Sequence, residues 1–378
     1  MIRRLADFYD RLMQKLVLVV FYYIPIARAY LTPNYRASDI REEHAGSCSF
    51  ATGRYAVYVL WQRKTIPWYV LNMLEALKRH QVDTIVVSNE ELSTEQVEIL
   101  KPLCAEILIR GNKGFDFGAY KDAILRLAKN KTSVSRLLLL NDSVYVFRRG
   151  LDKLLHALLA EDAPVVAAYE NWTAHYHFQS FCLALSGELL GDPMVQKFWH
   201  QYRPISNRRW CIHGGEVKLS NTLRKNATHF RVVYGINELL DHLDSNADIH
   251  SLLLYREFVP KFLRQAFPDD NFLEDFESAD PAERQVILRR AKEQISSFLV
   301  IGAQAHSGAF FFPKFLDSPF MKRDLVFREQ FNLYEVERML SELGFVESVP
   351  MIADEIRRRG TGAHLKGFRR RRYQLGLI

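Results

Sequence analysis

At 378 residues, with 48% hydrophobic and 12% aromatic content, the chain can bury one main core with additions, which excludes a disordered or fibrous protein. Its net charge of +7 is local: of 51 basic residues, eight (Arg357, Arg358, Arg359, Lys366, Arg369, Arg370, Arg371, Arg372) stand after Ile356 with no acidic neighbour, so 43 remain against 44 acidic residues in the rest. A neutral body with a basic end speaks against nucleic-acid binding, and the four scattered cysteines (Cys48, Cys104, Cys182, Cys211) form neither a CxxC pair nor a zinc-spaced cluster.

Near the N-terminus, LVLVVFYYIPIA (residues 16–27) is an uncharged apolar run. It is shorter than the roughly 20 residues a bilayer span takes. Asp7 and Asp10 in the leader argue against a secretion signal. Arg3, Arg4, Arg11, Lys15 and Arg28 flank the run, and the basic tail ends in YQLGLI. The chain is therefore expected to meet an anionic membrane surface through both termini, the other reading of the tail being a solvated, unstructured end.

After a polar linker near residues 36–53, strand and helix patterns alternate. RYAVYVLW, DTIVVSN and AEILI read as buried strands, PWYVLNMLEALKRH and STEQVEILKPL as the helices between them. Pro67 and Ser93 mark helix starts. A helix (YKDAILRLAK), a strand (SRLLLLNDSVYVF), a helix (GLDKLLHALLAE) and a strand (PVVAAYE) follow. This order predicts an α/β fold with a mostly parallel sheet flanked by helices and a C-terminal helical extension. Later segments, REFVPKFLRQAF and QVILRRAKEQISSFLVI, have helical apolar spacing and are expected to pack on the sheet.

In such sheets ligands bind beyond the carboxyl ends of the strands. The stretch RGNKGFDFGAYKDAI follows the third strand with glycines around one acid. It has neither GxGxxG nor GKS/T spacing, so it is no dinucleotide fingerprint or phosphate loop. Gly111 and Gly114 free the backbone for a close approach, and Asp116 either accepts ligand hydrogen bonds or caps a helix beginning near Ala119. Asp142, after four leucines, is placed to meet a divalent cation or to close a strand-end turn. His175, His177 and Gln179 share one face of an extended segment, and two histidines without a third ligand suit hydrogen bonding better than metal. Glu216, after two glycines at an expected helix start, is a candidate general base or a first-turn acid favoured by the helix dipole.

Together, NKGFDFGAYKDAI, LLLNDSVYVF, HFQSFCLALSGELL with KFW, GGEVKLSNTL and HSGAFFFPKFLDSPFMKRDLVF resemble, in the same order, the rhamnan synthesis protein F family of bacterial surface-polysaccharide glycosyltransferases. The resemblance runs from about residue 55 to about 335. It implies a GT-A-like, Rossmann-related domain that takes a nucleoside-diphosphate sugar, with rhamnose as the sugar, and a growing or lipid-linked glycan as acceptor. By position, Asn112, Gly114, Asp116 and Gly118 match the family's glycine-and-acid motif, Asn141, Asp142 and Ser143 its strand-end motif, His177, Gln179 and Ser180 its His-x-Gln-Ser motif, and Glu216 its helix-start acid. Asp142 would bind the diphosphate, through Mg²⁺ or Mn²⁺ if a metal is used, with Lys113, Lys121 and His177 as cations for the leaving group. The expected organisation is a membrane-proximal segment and linker (1–50), a catalytic domain (51–240), a helical acceptor-side region (241–355) and a basic tail (356–378), peripheral on the inner face of the cytoplasmic membrane. Gly215 departs from the family, where an aromatic is commoner, and the acid after Asp142 is missing. Those departures suit the alternative, a non-catalytic sugar- or nucleotide-sugar-binding assembly subunit.

Overall fold

The computed structural model describes residues 2–61, 65–173, 175–245, 255–266 and 271–378. Its strands are β1 (Ile40–Ala45), β2 (Arg54–Leu60), β3 (Asp83–Ser88), β4 (Glu106–Arg110), β5 (Arg136–Asn141), β6 (Val144–Val146), β7 (Val165–Ala167), β8 (Glu170–Asn171), β9 (His177–Phe178), β10 (Cys182–Ser186), β11 (Phe230–Val232) and β12 (Phe320–Lys322). Eight of them form one sheet in the order β1-β4-β3-β2-β5-β10-β7-β11. β2, β3, β4, β5, β7 and β11 run parallel, and β1 and β10 run against them. The α/β expectation therefore holds, with a mixed sheet that is mostly parallel.

Side chains alternate across the strands, so each strand feeds two cores. Tyr58, Leu60, Val86, Ile107, Leu138 and Leu140 face one side, with α3 (below) and the C-terminal helices. Val57, Val59, Val87, Leu108, Leu137 and Leu139 face the other, under Phe117, Trp199 and Leu223.

The helices of the first half are α1 (Ile2–Leu18), α2 (Ile24–Leu31), α3 (Trp68–Arg79), α4 (Thr94–Leu100), α5 (Phe115–Lys129) and α6 (Leu151–Leu159). Pro67 stands at the N-cap of α3, and Ser93 with Gln96 forms the capping box of α4. From β2 the chain steps through α3 and α4 to β3 and β4 on one side; α5 then carries it back to β5 on the other side of β2. The order reverses between β2 and β5, which opens a crevice at their carboxyl ends.

Four expectations change. The linker contains β1, a charged edge strand (IREEHA) held to β4 by its backbone. The run RLLLLNDSVYV is two strands: β5 stays in the main sheet, while β6 leaves it at Asp142–Ser143 to pair with β12. REFVPKFLRQAF forms two short 3-10 turns, Arg256–Phe258 and Lys261–Ala266; the helix Pro281–Ile301 does pack inward through Ile295, Phe298 and Leu299. Finally, the basic tail is folded. Residue 356 lies inside the helix Val349–Arg359, and the helix Gly367–Gln374 packs on α1, with Arg371 paired to Asp10 at 2.6 Å and the Arg372 guanidinium over the Phe21 ring.

At the other terminus, α1, a π-helical turn (Val19–Tyr23) and α2 run on as one helix. Phe8–Leu31 is 24 residues, long and apolar enough to cross a membrane, whereas the 12 uncharged residues alone fell short. The body grips it at the π-turn, where the Asn207 amide donates to the Phe21 carbonyl, and in α2, where Arg203 donates to the Ala29 carbonyl. The side chains of Arg3 and Arg4, and residues 267–270 of the acidic insertion, lie outside the described residues.

Candidate functional site

The loop after β4 is built around a buried cation. Arg110 pairs with Asp122 on α5 at 2.8 Å and also donates to the Asn89 side chain at 2.6 Å and the Lys113 carbonyl at 2.7 Å. These bonds hold two consecutive left-handed residues, Gly114 (φ 75°) and Phe115 (φ 53°). At Gly114 a Cβ would lie 2.4 Å from Pro204, so only glycine fits. The helix consequently starts at Phe115, four residues before Ala119, and Asp116 falls in its first turn. The Asp116 carboxylate accepts from the Phe117 N–H at 3.0 Å and from the Asn141 amide at 3.0 Å. Asp116 thus satisfies one helix-start donor and also lines a cavity.

The strand end fixes its partners. The Asn141 side-chain oxygen accepts from the Ser143 N–H at 3.1 Å, which turns the chain out of the sheet. The Asp142 carboxylate accepts from the Trp61 N–H at 3.2 Å and lies 3.5 Å from Arg323. Arg323 in turn holds Glu355 at 2.7 Å.

Across the crevice, the segment after β9 is pinned by its backbone. Phe178 N–H donates to Ser220 Oγ, Gln179 N–H to the Tyr169 carbonyl, and the Tyr120 hydroxyl to the Ser180 carbonyl. His177 Nδ1 donates to the His175 carbonyl at 2.7 Å, which leaves Nε2 towards Glu216 Oε2 at 4.0 Å. Glu216 Oε1 accepts from both the Ser180 hydroxyl (2.6 Å) and N–H (3.1 Å). Sequence spacing put Glu216 at a helix start. It stands instead within a π-helical segment, Cys211–Val217, which runs into the helix Lys218–Asn226. A first-turn dipole role is thereby removed, and π-turns are frequent at functional sites. At Gly215 a Cβ would meet the Phe117 ring at 2.9 Å, so the aromatic commoner in the family has no room here: Phe117 fills it.

Asp116, Asn141, Asp142, Ser143, His177, Gln179 and Glu216 thus line one cavity of about 1210 Å³ at the β2–β5 crevice. Burial, followed by repulsion from Glu216, raises the Asp116 carboxyl to about 6. The far wall comes from residues that the sequence reading did not single out. Arg208 opens a short helix (Arg208–Trp210); Lys322 and Arg323 end β12 and follow it. Lys322 Nζ donates to Ser143 Oγ at 3.2 Å and sits 3.8 Å from the Phe181 ring centre. Burial brings it down to about 8, against the pull of Asp324, Glu216 and Asp116. His306 holds Asp324 at 2.8 Å. Gln374, Leu375 and Gly376 of the tail line the same cavity. The block HSGAFFFPKFLDSPFMKRDLVF carried Lys322 and Arg323 in plain view, but only the β6–β12 pairing brings them here.

Several expected ligand residues are scaffold. Gly118 packs against the Lys113 carbonyl, the Asn112 carbonyl accepts from Ser206, and neither these two nor Gly114 lines the cavity. Lys113 donates to the Tyr35 carbonyl, and Lys121 is buried, donating to the Tyr202 carbonyl at 2.6 Å. His177 alone of the three expected cations reaches the cavity. His175 is exposed and contributes only its carbonyl. Nor does Asp142 suit a divalent ion. Its carboxylate already faces Arg323, and among the described residues no three His, Cys, Asp or Glu side chains converge as a metal site.

Comparisons with known proteins follow this geometry. The protein y4gN of Sinorhizobium fredii is 23% identical over 189 residues, 49% of each chain, so this chain spans about half the length of the curated relative it matches. The glycosyltransferase GlyE of Streptococcus pneumoniae aligns over 52% of this chain and 49% of its own at 12% identity, with a TM-score of 0.29. The mannosyltransferase PcManGT of Pyrobaculum calidifontis, in complex with GDP-Man and Mn²⁺, aligns over 90% and 96% at 9% identity, with a TM-score of 0.26. Neither likeness is close enough to bear on the site. Residues 84–151, which run from β3 to the start of α6 and contain Asp116, Asn141 and Asp142, match the profile of rhamnan synthesis protein F, so over that stretch the family resemblance read from the sequence is borne out.

Proposed function

We propose that the protein is a glycosyltransferase, with a nucleoside-diphosphate sugar bound at the β2–β5 crevice in a GT-A-like arrangement. One observation carries the reading: carboxylates from three separate segments, Asp116, Asp142 and Glu216, meet in one cavity where the strand order reverses. At about 1210 Å³ the cavity exceeds the roughly 300–1,000 Å³ of a single small-ligand pocket, which leaves room for a donor and part of an acceptor.

Glu216 is the residue proposed as base. Ser180 saturates Oε1, so the carboxylate is fixed with Oε2 left to the cavity. Oε2 would take the proton of the acceptor hydroxyl as its oxygen bonds to the anomeric carbon, while the bond to the diphosphate breaks and its electron pair leaves with the diphosphate. Asp116 and Asn141, locked together, would orient donor hydroxyls or ring N–H groups. Rhamnose, from the family name, is the first donor sugar to test.

A lipid-linked acceptor would reach this cavity from a membrane surface. The exposed apolar face of α1, the π-turn and α2 (Phe8, Leu12, Leu16, Val20, Ile24) is the part proposed to lie on an anionic bilayer at the inner face of the cytoplasmic membrane.

The test is Glu216→Gln. Transfer should fall by about 10²–10⁴-fold, with donor affinity held within a few-fold. An unchanged transfer rate removes Glu216 from the base role. A binding subunit without turnover, the alternative reading, would bind donor and release no nucleoside diphosphate with either protein.

A further inference from the structure

The cations of the far wall are not equivalent. Arg323 is neutralised by Asp142 and Glu355, Arg358 by Asp354, and Arg328, just behind the wall, by Asp324. Four others, Arg208, Arg209, Lys322 and Arg359, have no carboxylate within ion-pair distance among the described residues, but Arg209 lies over the Tyr22 ring and Arg359 donates to the Arg323 carbonyl and lies over the Phe327 ring, which leaves Arg208 and Lys322. Both line the cavity, and they repel one another. Two like charges on one partly desolvated wall are costly unless an anion joins them. Their place is also specific. The hydrogen bond from Lys322 to Ser143 puts the ammonium at the carboxyl end of β5, beside the reversal of strand order.

We propose that Arg208 and Lys322 together form the binding site for the donor's diphosphate, supplying the positive charge that a divalent ion would otherwise supply. This rests on the glycosyltransferase reading and specifies how its donor is held. Guanidinium and ammonium groups bind phosphate oxygens through charge-assisted hydrogen bonds. In the proposed reaction they would hold the diphosphate as the bond to the anomeric carbon breaks and negative charge grows on the leaving oxygen. Asp142 then has a different part. Its ion pair with Arg323 and its bond to the Trp61 N–H brace the two strand ends that flank the crevice.

The experiment is calorimetric titration of the full chain with inorganic pyrophosphate and with UDP, GDP and dTDP, in EDTA and again in Mn²⁺. Wild type is compared with Arg208→Gln, Lys322→Gln and Asp142→Asn, and with Arg357→Gln, a surface residue paired with Glu337 away from the cavity. Circular dichroism and melting temperature check that each variant is folded. The expected result is binding of at least one probe in EDTA, weakened about tenfold or more by Arg208→Gln and by Lys322→Gln and untouched by Arg357→Gln. Tenfold corresponds to about 1.4 kcal/mol for each cation. Binding that requires Mn²⁺ and is lost in Asp142→Asn, but survives both cation variants, overturns the proposal and leaves the glycosyltransferase reading standing. If no probe binds under either condition, the donor site itself is refuted, and the proposal with it.

Discussion

Replacing Asp116 by Asn should make the protein more stable and less active, and the gain should depend on pH. Burial and Glu216 raise this carboxyl from 3.8 to about 6. That is about two pH units, and at about 1.4 kcal/mol each the ionised form costs the fold about 3 kcal/mol at neutral pH. The folded value lies above the unfolded one, so the cost is absent below about 4, grows as pH rises, and is complete above about 6. Near pH 5 it is about 1.5 kcal/mol. Asn can still accept from the Phe117 N–H, but its amide faces the Asn141 amide, whose oxygen is committed to Ser143. One lost hydrogen bond costs about 1–1.5 kcal/mol. The net expectation is a gain of about 1.5–2 kcal/mol at pH 7.5 that shrinks to about zero at pH 5. Urea denaturation of both proteins at the two pH values measures it, because titrating groups not coupled to Asp116 cancel in the difference. A variant less stable than wild type by the same amount at both pH values would refute the claim that an ionised, partly desolvated carboxylate is held in this site.

Other outcomes follow from the same contacts. The pH profile of kcat/KM for transfer should rise through about 6 as Asp116 ionises and fall above about 8 as Lys322 loses its proton; a profile flat from pH 5 to 9 would remove both groups from the free enzyme's requirements. Arg110→Ala should cost about 3–5 kcal/mol, because it strands Asp122 in a site where the two side chains are 1% and 5% exposed, and should also lower activity by freeing the loop that aims Asp116. Gly215→Ala should lower the melting temperature, at a cost of about 1–3 kcal/mol, because the new methyl meets a Phe117 ring wedged against Trp199 and Tyr202. A neutral or stabilising result there would mean that the π-turn can shift.

The parts of this fold that were legible in the sequence are those dictated by local pattern. The apolar runs of β2 to β5 face cores on both sides, so they read as buried parallel strands, and Ser93 with Gln96 announced the start of α4. By contrast, β1 carries Arg41, Glu42, Glu43 and His44 and is held through its backbone at a sheet edge, where composition gives no apolar signal. The break at Asp142–Ser143 was hidden because β6 is as apolar as β5, although it leaves for another sheet. In the site, Asp116, Asp142, His177, Gln179 and Glu216 were found because they follow strands or carry the family motifs. Lys322 was missed because it is far from those residues in the chain and joins them only after folding, and Arg208, although close before Glu216, because it follows no strand and carries no family motif. Gly111 and Gly114 were read as freeing the backbone for a close approach to a ligand, whereas the room is taken by Asp39 and Arg41 at the first and by Pro204 at the second. The tail read as a membrane tether on charge alone, and much of that charge is matched within the protein by Glu329, Glu337, Asp354 and Asp10.

The most direct measurement is a thermal-shift panel of dTDP-, UDP- and GDP-sugars, dTDP-rhamnose among them, on wild type and on Asn141→Ala. One class of donor should raise the melting temperature of wild type in a saturable manner, and the shift should shrink sharply once the amide that holds Asp116 is gone. If no donor moves the wild-type transition at millimolar concentration, or if the variant responds as wild type does, the cavity between β2 and β5 is not where an activated sugar is held.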